Sequence, residues 1–212
     1  MNILLSLEGT DPRPWIEGLR AALPEAQVDD WRPGTGQRAD YAVVWRPPQA
    51  LVDEQPQVQA LFNIGAGVDA LVALRLPPHT RIVRLDDAGM AVQMAEYVCQ
   101  AVIRHFRGLA ASEQALADSR WSEAQPRARS DFPVGVMGLG VLGSRVARAV
   151  AGFDFPVNGW SRTPQAIDGI TTFAGAGQLA DFLAATRVLV CLLPLTPETE
   201  NILNRRTLGA LR

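Results

Sequence analysis

Residues 134–150 read VGVMGLGVLGSRVARAV, and no other stretch limits the fold of this chain so tightly. The opening VGVM is a short run of buried-strand character, and Gly138, Gly140 and Gly143 follow in the spacing G-x-G-x-x-G. After them Val146 and Val150 stand four apart, as on the inner face of a helix. With 18 glycines in the chain the spacing alone is weak. Its placement between a strand and a helix start gives it meaning. Gly138 permits the sharp turn out of the strand, Gly140 lets a pyrophosphate approach the backbone, and Gly143 lets the helix pack closely on the strand. The first amides of such a helix, helped by its dipole, then favour the phosphate charge. The expectation is a parallel α/β sheet binding a dinucleotide.

The next strand selects the dinucleotide. NAD calls for an acidic side chain about twenty residues beyond the glycines, where it holds both ribose hydroxyls. Here FPVNGWSRTP places Ser161 at that point and Arg162 beside it. A serine and an arginine can receive a 2′-phosphate that a carboxylate would repel. NADP(H) is therefore the expected cofactor, with NAD(H) the alternative.

Strand and helix patterns alternate along the rest of the chain. NILLSL, YAVVW, ALFNIG and TRIVRL read as strands, with PWIEGLRAALP as a helix between the first two. A long helix is expected from Val92 to Ser119, with Val98, Val102, Phe106 and Leu109 on its buried stripe. WSEAQPRARSD, residues 121–131, reads as an exposed arm. FPVNGW, DFLAATR and RVLVCLL continue the second block as strand, helix and strand. The final NILNRRTLGALR reads as a helix leading toward a further strand, which gives the ending the look of an interruption.

A net charge of −2 favours neither nucleic acid nor an anionic membrane surface as partner. Cys99 and Cys191 lie in apolar runs and read as buried thiols in a reducing compartment. No Cys/His cluster suggests a metal. The short apolar start MNILLSL reads as a strand and not a leader, and no apolar run reaches membrane-spanning length. A cytoplasmic protein is expected.

In order and spacing, YAVVWRPP, NIGAGVDAL, DDAGMAVQMAEYV, GVMGLGVLGSRVA, GWSRTP and LVCLLPLTPET resemble the D-isomer-specific 2-hydroxyacid dehydrogenases, and among them the glyoxylate/hydroxypyruvate reductase A group. The resemblance covers essentially the whole chain. It implies an α/β fold of two Rossmann-like domains: a flavodoxin-like substrate domain at 1–95, and a dinucleotide-binding domain at 96–212, the latter incomplete. It also implies reduction of a small 2-keto acid by NAD(P)H, and a homodimer formed through the cofactor domain and the 121–131 arm. By the same resemblance, Ala66 and Gly67 meet the substrate carboxylate, with Ala66 near the nicotinamide. Trp45 could help close the keto-acid pocket. Val141 and Leu142 lie along the pyrophosphate, and Leu192, Pro194 and Thr199 line the cofactor cleft.

One departure matters. Reduction of a keto acid needs a cation on the carboxylate and ketone, an acid for the developing alkoxide, and a carboxylate to tune that acid. The family's arginine, glutamate or aspartate, and histidine follow the LTPET segment, beyond Arg212. His79 and His105 lie in the wrong places to replace the acid, and Arg205, Arg206 and Arg212 come too early for the arginine. No catalytic residue is therefore assigned, and the resemblance implies a C-terminally truncated chain with poor turnover of its own.

Overall fold

The computed structural model describes residues 1–123 and 125–212. They form two compact units. The first comprises Met1–Asp86 with Pro194–Thr196, and the second Asp87–Leu193 with Pro197–Arg212.

In the first unit the elements run β1 (Asn2–Leu7), α1 (Arg13–Ala22), β2 (Gln27–Asp30), β3 (Tyr41–Trp45), α2 (Gln49–Glu54), β4 (Ala60–Asn63), α3 (Asp69–Val72) and β5 (Arg81–Arg84). The five strands are parallel in the order β2-β1-β3-β4-β5. That is the flavodoxin-like order, with its reversal between β1 and β3. Leu5 and Val44 are fully buried, because parallel strands covered by helices on both faces need apolar side chains in both directions. Ala42, Val44, Leu51, Val58, Leu61 and Leu71 form one core, while Ile3, Leu5 and Val28 form another. Strand β2 had no sequence signal. It is an edge strand, QVDD, whose one buried residue is Val28.

The second unit contains α4 (Met90–Arg107), α5 (Leu109–Ala117), β6 (Val134–Met137), α6 (Val141–Ala151), β7 (Val157–Ser161), β8 (Thr171–Ala174), α7 (Leu179–Ala184), β9 (Val188–Cys191) and α8 (Arg205–Leu208). Its described strands are also parallel, in the order β8-β7-β6-β9, so the direction of winding reverses between β6 and β9. Val98, Val102 and Phe106 of α4 pack with Val146 and Val150 of α6 over Val134 and Val136. Phe106 stands edge-on to both Phe132 and Phe155, with ring centroids 5.1 Å away in each case.

The single helix expected over 92–119 is two helices. Gly108 has φ +65° and ends α4 in the left-handed region, its amide donating to the Arg104 and His105 carbonyls. The chain then restarts as α5, tied back by the Arg104–Glu113 ion pair. As a result Leu109 leaves the buried stripe and is 39% exposed. The expected 95/96 boundary falls inside α4, the whole of which belongs to the second unit. The 121–131 arm is exposed and closes in a 3-10 turn at Arg129–Asp131; Ala124 lies outside the described residues. Among the described residues no helix is long and apolar enough to cross a membrane.

Candidate functional sites on the two sheet edges

The glycine turn stands at the carboxyl end of β6. Gly138 has φ +102°, where an L side chain is strained, and a β-carbon there would lie 3.0 Å from the Leu192 carbonyl oxygen. Both flanking strands fix this position. The Gly138 amide donates to the Trp160 carbonyl at 2.7 Å, and the Leu192 amide donates to the Met137 carbonyl at 2.8 Å. Gly143 is closed to any side chain, since its β-carbon would overlap the Gly138 carbonyl oxygen. Gly140 differs from both. It caps α6 in extended geometry, and nothing occupies the space in front of its missing β-carbon.

This arrangement fits a pyrophosphate. The first intrahelical bond of α6 runs from the Ser144 amide to the Gly140 carbonyl at 2.9 Å. The amides of Val141, Leu142 and Gly143 therefore precede the helical ladder at the positive end of an 11-residue helix, whose cap residue Gly140 has open space before it. Val141 is 51% exposed and Leu142 half-buried.

Because β7 pairs with β6 in parallel, Ser161 reaches the same carboxyl edge. It is 9% exposed, and its hydroxyl donates to the Thr163 carbonyl at 2.7 Å. The serine thus shapes the turn, and the exposed Arg162 stands beside it. No carboxylate occupies the strand end. Leu192 directly follows β9 at this edge, Pro194 is exposed and Thr199 half-buried.

On the first unit the loop Gly65-Ala66-Gly67-Val68 leaves the carboxyl end of β4, next to the end of β3. Sequence reasoning missed the residue that shapes it. Asn63, 4% exposed, donates its carboxamide N–H groups to the Gly65 carbonyl at 2.9 Å and the Gly67 carbonyl at 2.6 Å. Two carbonyls are thereby turned inward. The first α3 bonds run from Leu71 and Val72 to the Val68 carbonyl, so Ala66 and Gly67 lie in the loop before the cap of that helix. The Trp45 ring packs on Gly65 so closely that a side chain there would collide with it. Trp45 thus stands against the first residue of the loop that carries Ala66 and Gly67, and the missed signal was a polar residue, Asn63, ending a buried strand just before a glycine loop.

Neither histidine lies at a carboxyl edge. His79 is exposed in the turn before β5, and His105 is exposed in the last turn of α4. Cys99 is buried and Cys191 half-buried, and both are free thiols. Among the described residues, no group of three His, Cys, Asp or Glu side chains is arranged to hold a metal.

Residues 99–212 match the family model described as D-isomer specific 2-hydroxyacid dehydrogenase, NAD binding domain. The whole chain is 40% identical over 217 aligned residues to a glyoxylate/hydroxypyruvate reductase A of Yersinia enterocolitica, covering 69% of that protein. Among solved structures, 99% of the chain superposes with TM-score 0.89 on 69% of a D-isomer specific 2-hydroxyacid dehydrogenase of Xanthobacter autotrophicus Py2 in complex with NADPH and MES, at 38% identity. With TM-score 0.88 and 33% identity, 99% of it superposes on 67% of an NADPH-dependent glyoxylate/hydroxypyruvate reductase of Sinorhizobium meliloti in complex with NADP and sulfate. On the strength of these matches and the glycine turn, the chain belongs to the D-isomer-specific 2-hydroxyacid dehydrogenases, a family of enzymes.

Proposed function

We propose that this chain serves the NADPH-dependent reduction of a small 2-keto acid, glyoxylate or hydroxypyruvate, to the 2-hydroxy acid. The observation that carries the reading is the turn at Gly138, Gly140 and Gly143, closed to side chains at two glycines and open at the third. Whole-chain likeness to reductases of that name supports the substrate class.

In this reading the second unit holds the cofactor. The Val141 and Leu142 amides receive the pyrophosphate, and Gly140 gives it room. Arg162 meets the 2′-phosphate, and Ser161 keeps the turn in place. Leu192, Pro194 and Thr199 line the nicotinamide side. On the first unit the Ala66 and Gly67 amides hold the substrate carboxylate, and the Trp45 ring bounds the pocket. NADPH, when bound, supplies the hydride. Titration of nicotinamide fluorescence tests the cofactor assignment: NADPH binds more tightly than NADH, and equal or tighter NADH binding overturns it.

A second reading concerns the 212-residue polypeptide taken alone, as a non-catalytic NADP-binding or dimerising module. It is favoured by the positions of His79 and His105, away from both carboxyl edges, so neither can protonate an alkoxide formed there. Purified polypeptide mixed with NADPH and glyoxylate consumes no NADPH above background in this reading. Turnover near that of a full-length reductase rules it out.

A homodimer is part of the proposal. Tyr97, Leu116 and Trp121 are 72%, 78% and 94% exposed, large apolar side chains that a second copy would cover. Sedimentation at micromolar concentration gives a dimer mass if this is right and a monomer mass if it is wrong. The two free thiols suit a reducing compartment such as the cytoplasm.

A further inference from the structure

The second unit also carries a cavity of about 410 Å³, lined by His105, Pro126, Arg127, Asp131, Phe132 and Arg187 among others. Asp131 and Phe132 precede β6, and Arg187 precedes β9, with the Arg187 and Val188 amides both donating to the Pro133 carbonyl. The cavity thus lies at the amino edge of the sheet, and Pro126, Arg127 and Asp131 of its lining belong to the arm that the proposed homodimer uses. The glycine turn is at the opposite edge, about 13 Å away along strands of this length.

Its charged groups are held in place. Phe132 is 3% exposed, and the Arg187 guanidinium carbon stands 4.1 Å from its ring centroid, with that of Arg127 at 5.7 Å. The His105 ring lies 5.9 Å from the same ring. Arg187 Nη1 donates to the Asp131 carbonyl at 2.9 Å, and Arg127 Nη1 donates to the His105 and Phe106 carbonyls at 3.3 and 3.4 Å. Each guanidinium has five N–H donors, so these bonds orient it and leave donors for another acceptor. The one carboxylate in the lining is Asp131, and among the ion pairs of the described residues none joins it to Arg127 or Arg187. Two fixed cations face one anion around a volume larger than a single phosphate needs.

We propose that this cavity is a binding site for a small multivalent oxyanion, a phosphate ester or a polycarboxylate, bridged between Arg127 and Arg187. Guanidinium forks suit such oxygens. A bound anion would tie the end of α4 and the residues before β6 to the start of β9, stiffening the second unit from the edge opposite the glycine turn.

Calorimetric titration of the whole chain with pyrophosphate tests this, with NADPH present at saturation to occupy the glycine turn. Pyrophosphate binds under these conditions, and Arg187→Gln and Arg127→Gln each weaken it about tenfold or more, the usual weight of a charge-assisted hydrogen bond. Arg187→Lys keeps the charge but loses the fork, and is also weaker. Asp131→Asn removes the opposing carboxylate and tightens binding. Citrate distinguishes the sources: binding that matches pyrophosphate means that clustered oxyanions in general are taken, and no citrate binding narrows the ligand to phosphates. The proposal is overturned if pyrophosphate binds only when NADPH is left out, if it fails to bind at millimolar concentration, or if the arginine variants bind it like the parent.

Discussion

The carboxamide nitrogen of Asn63 lies 2.6 Å from the carbonyl oxygen of Gly67, and the same buried side chain also reaches Gly65 at 2.9 Å. One residue thereby sets the direction of the loop that carries Ala66. Asn63→Ala leaves two carbonyls without their donor and is expected to cost about 1–3 kcal/mol in denaturant unfolding. Asn63→Asp, which points oxygen at oxygen, is expected to cost more. A loop formed without this clamp would show the parent's stability in both variants.

Two alanine substitutions separate folding from cofactor binding. At Gly143 a β-carbon overlaps the Gly138 carbonyl oxygen, whereas at Gly140 it meets nothing. Gly143→Ala is expected to lose about 1–3 kcal/mol of stability through overpacking, and NADPH binding with it. Gly140→Ala is expected to melt like the parent yet bind NADPH about tenfold or more weakly, since the methyl group fills space meant for phosphate. Thermal melts and fluorescence titration of both variants decide the matter.

Arg162→Ala tests the choice between the two dinucleotides. The Ser161 hydroxyl is engaged with the Thr163 carbonyl, so the arginine is the donor left for a 2′-phosphate. The expected result is about a tenfold loss of NADPH affinity, the scale of one charge-assisted contact, with NADH affinity unchanged. An equal loss for both cofactors would mean that Arg162 does not recognise the phosphate.

Burial pushes the Cys99 thiol above its ordinary range. The folded state therefore holds this proton more tightly than the unfolded chain, whose thiol titrates near about 8.5. The resulting stability is fully present below that pH and is lost as pH rises toward the folded-state value. The denaturation midpoint of the parent should fall more steeply than that of Cys99→Ala as pH rises above about 8.5. A thiol reagent should modify the half-buried Cys191 before Cys99.

The strands β1, β3, β4, β5, β6 and β9 were legible from their apolar or β-branched runs, and β7 from its place after the glycine turn and its helix. Strands β2 and β8 were not: each lies at a sheet edge, and QVDD and TTFA show no continuous apolar run. The break at Gly108 was hidden for a different reason. A glycine inside a periodic stretch reads as a tolerated residue until its left-handed φ is known.

By itself the sequence determined the strand–turn–helix around Gly138, Gly140 and Gly143 and the lack of an acid at the end of β7. Both are local, set by neighbours a few residues apart. Tertiary structure alone decided that Trp45 rests on Gly65, and that Arg127 and Arg187 both stand against Phe132 and line one cavity. These groups are brought together by the parallel pairing of strands distant in sequence. Linear spacing carries no record of such register, because it follows from burying whole sheet faces at once.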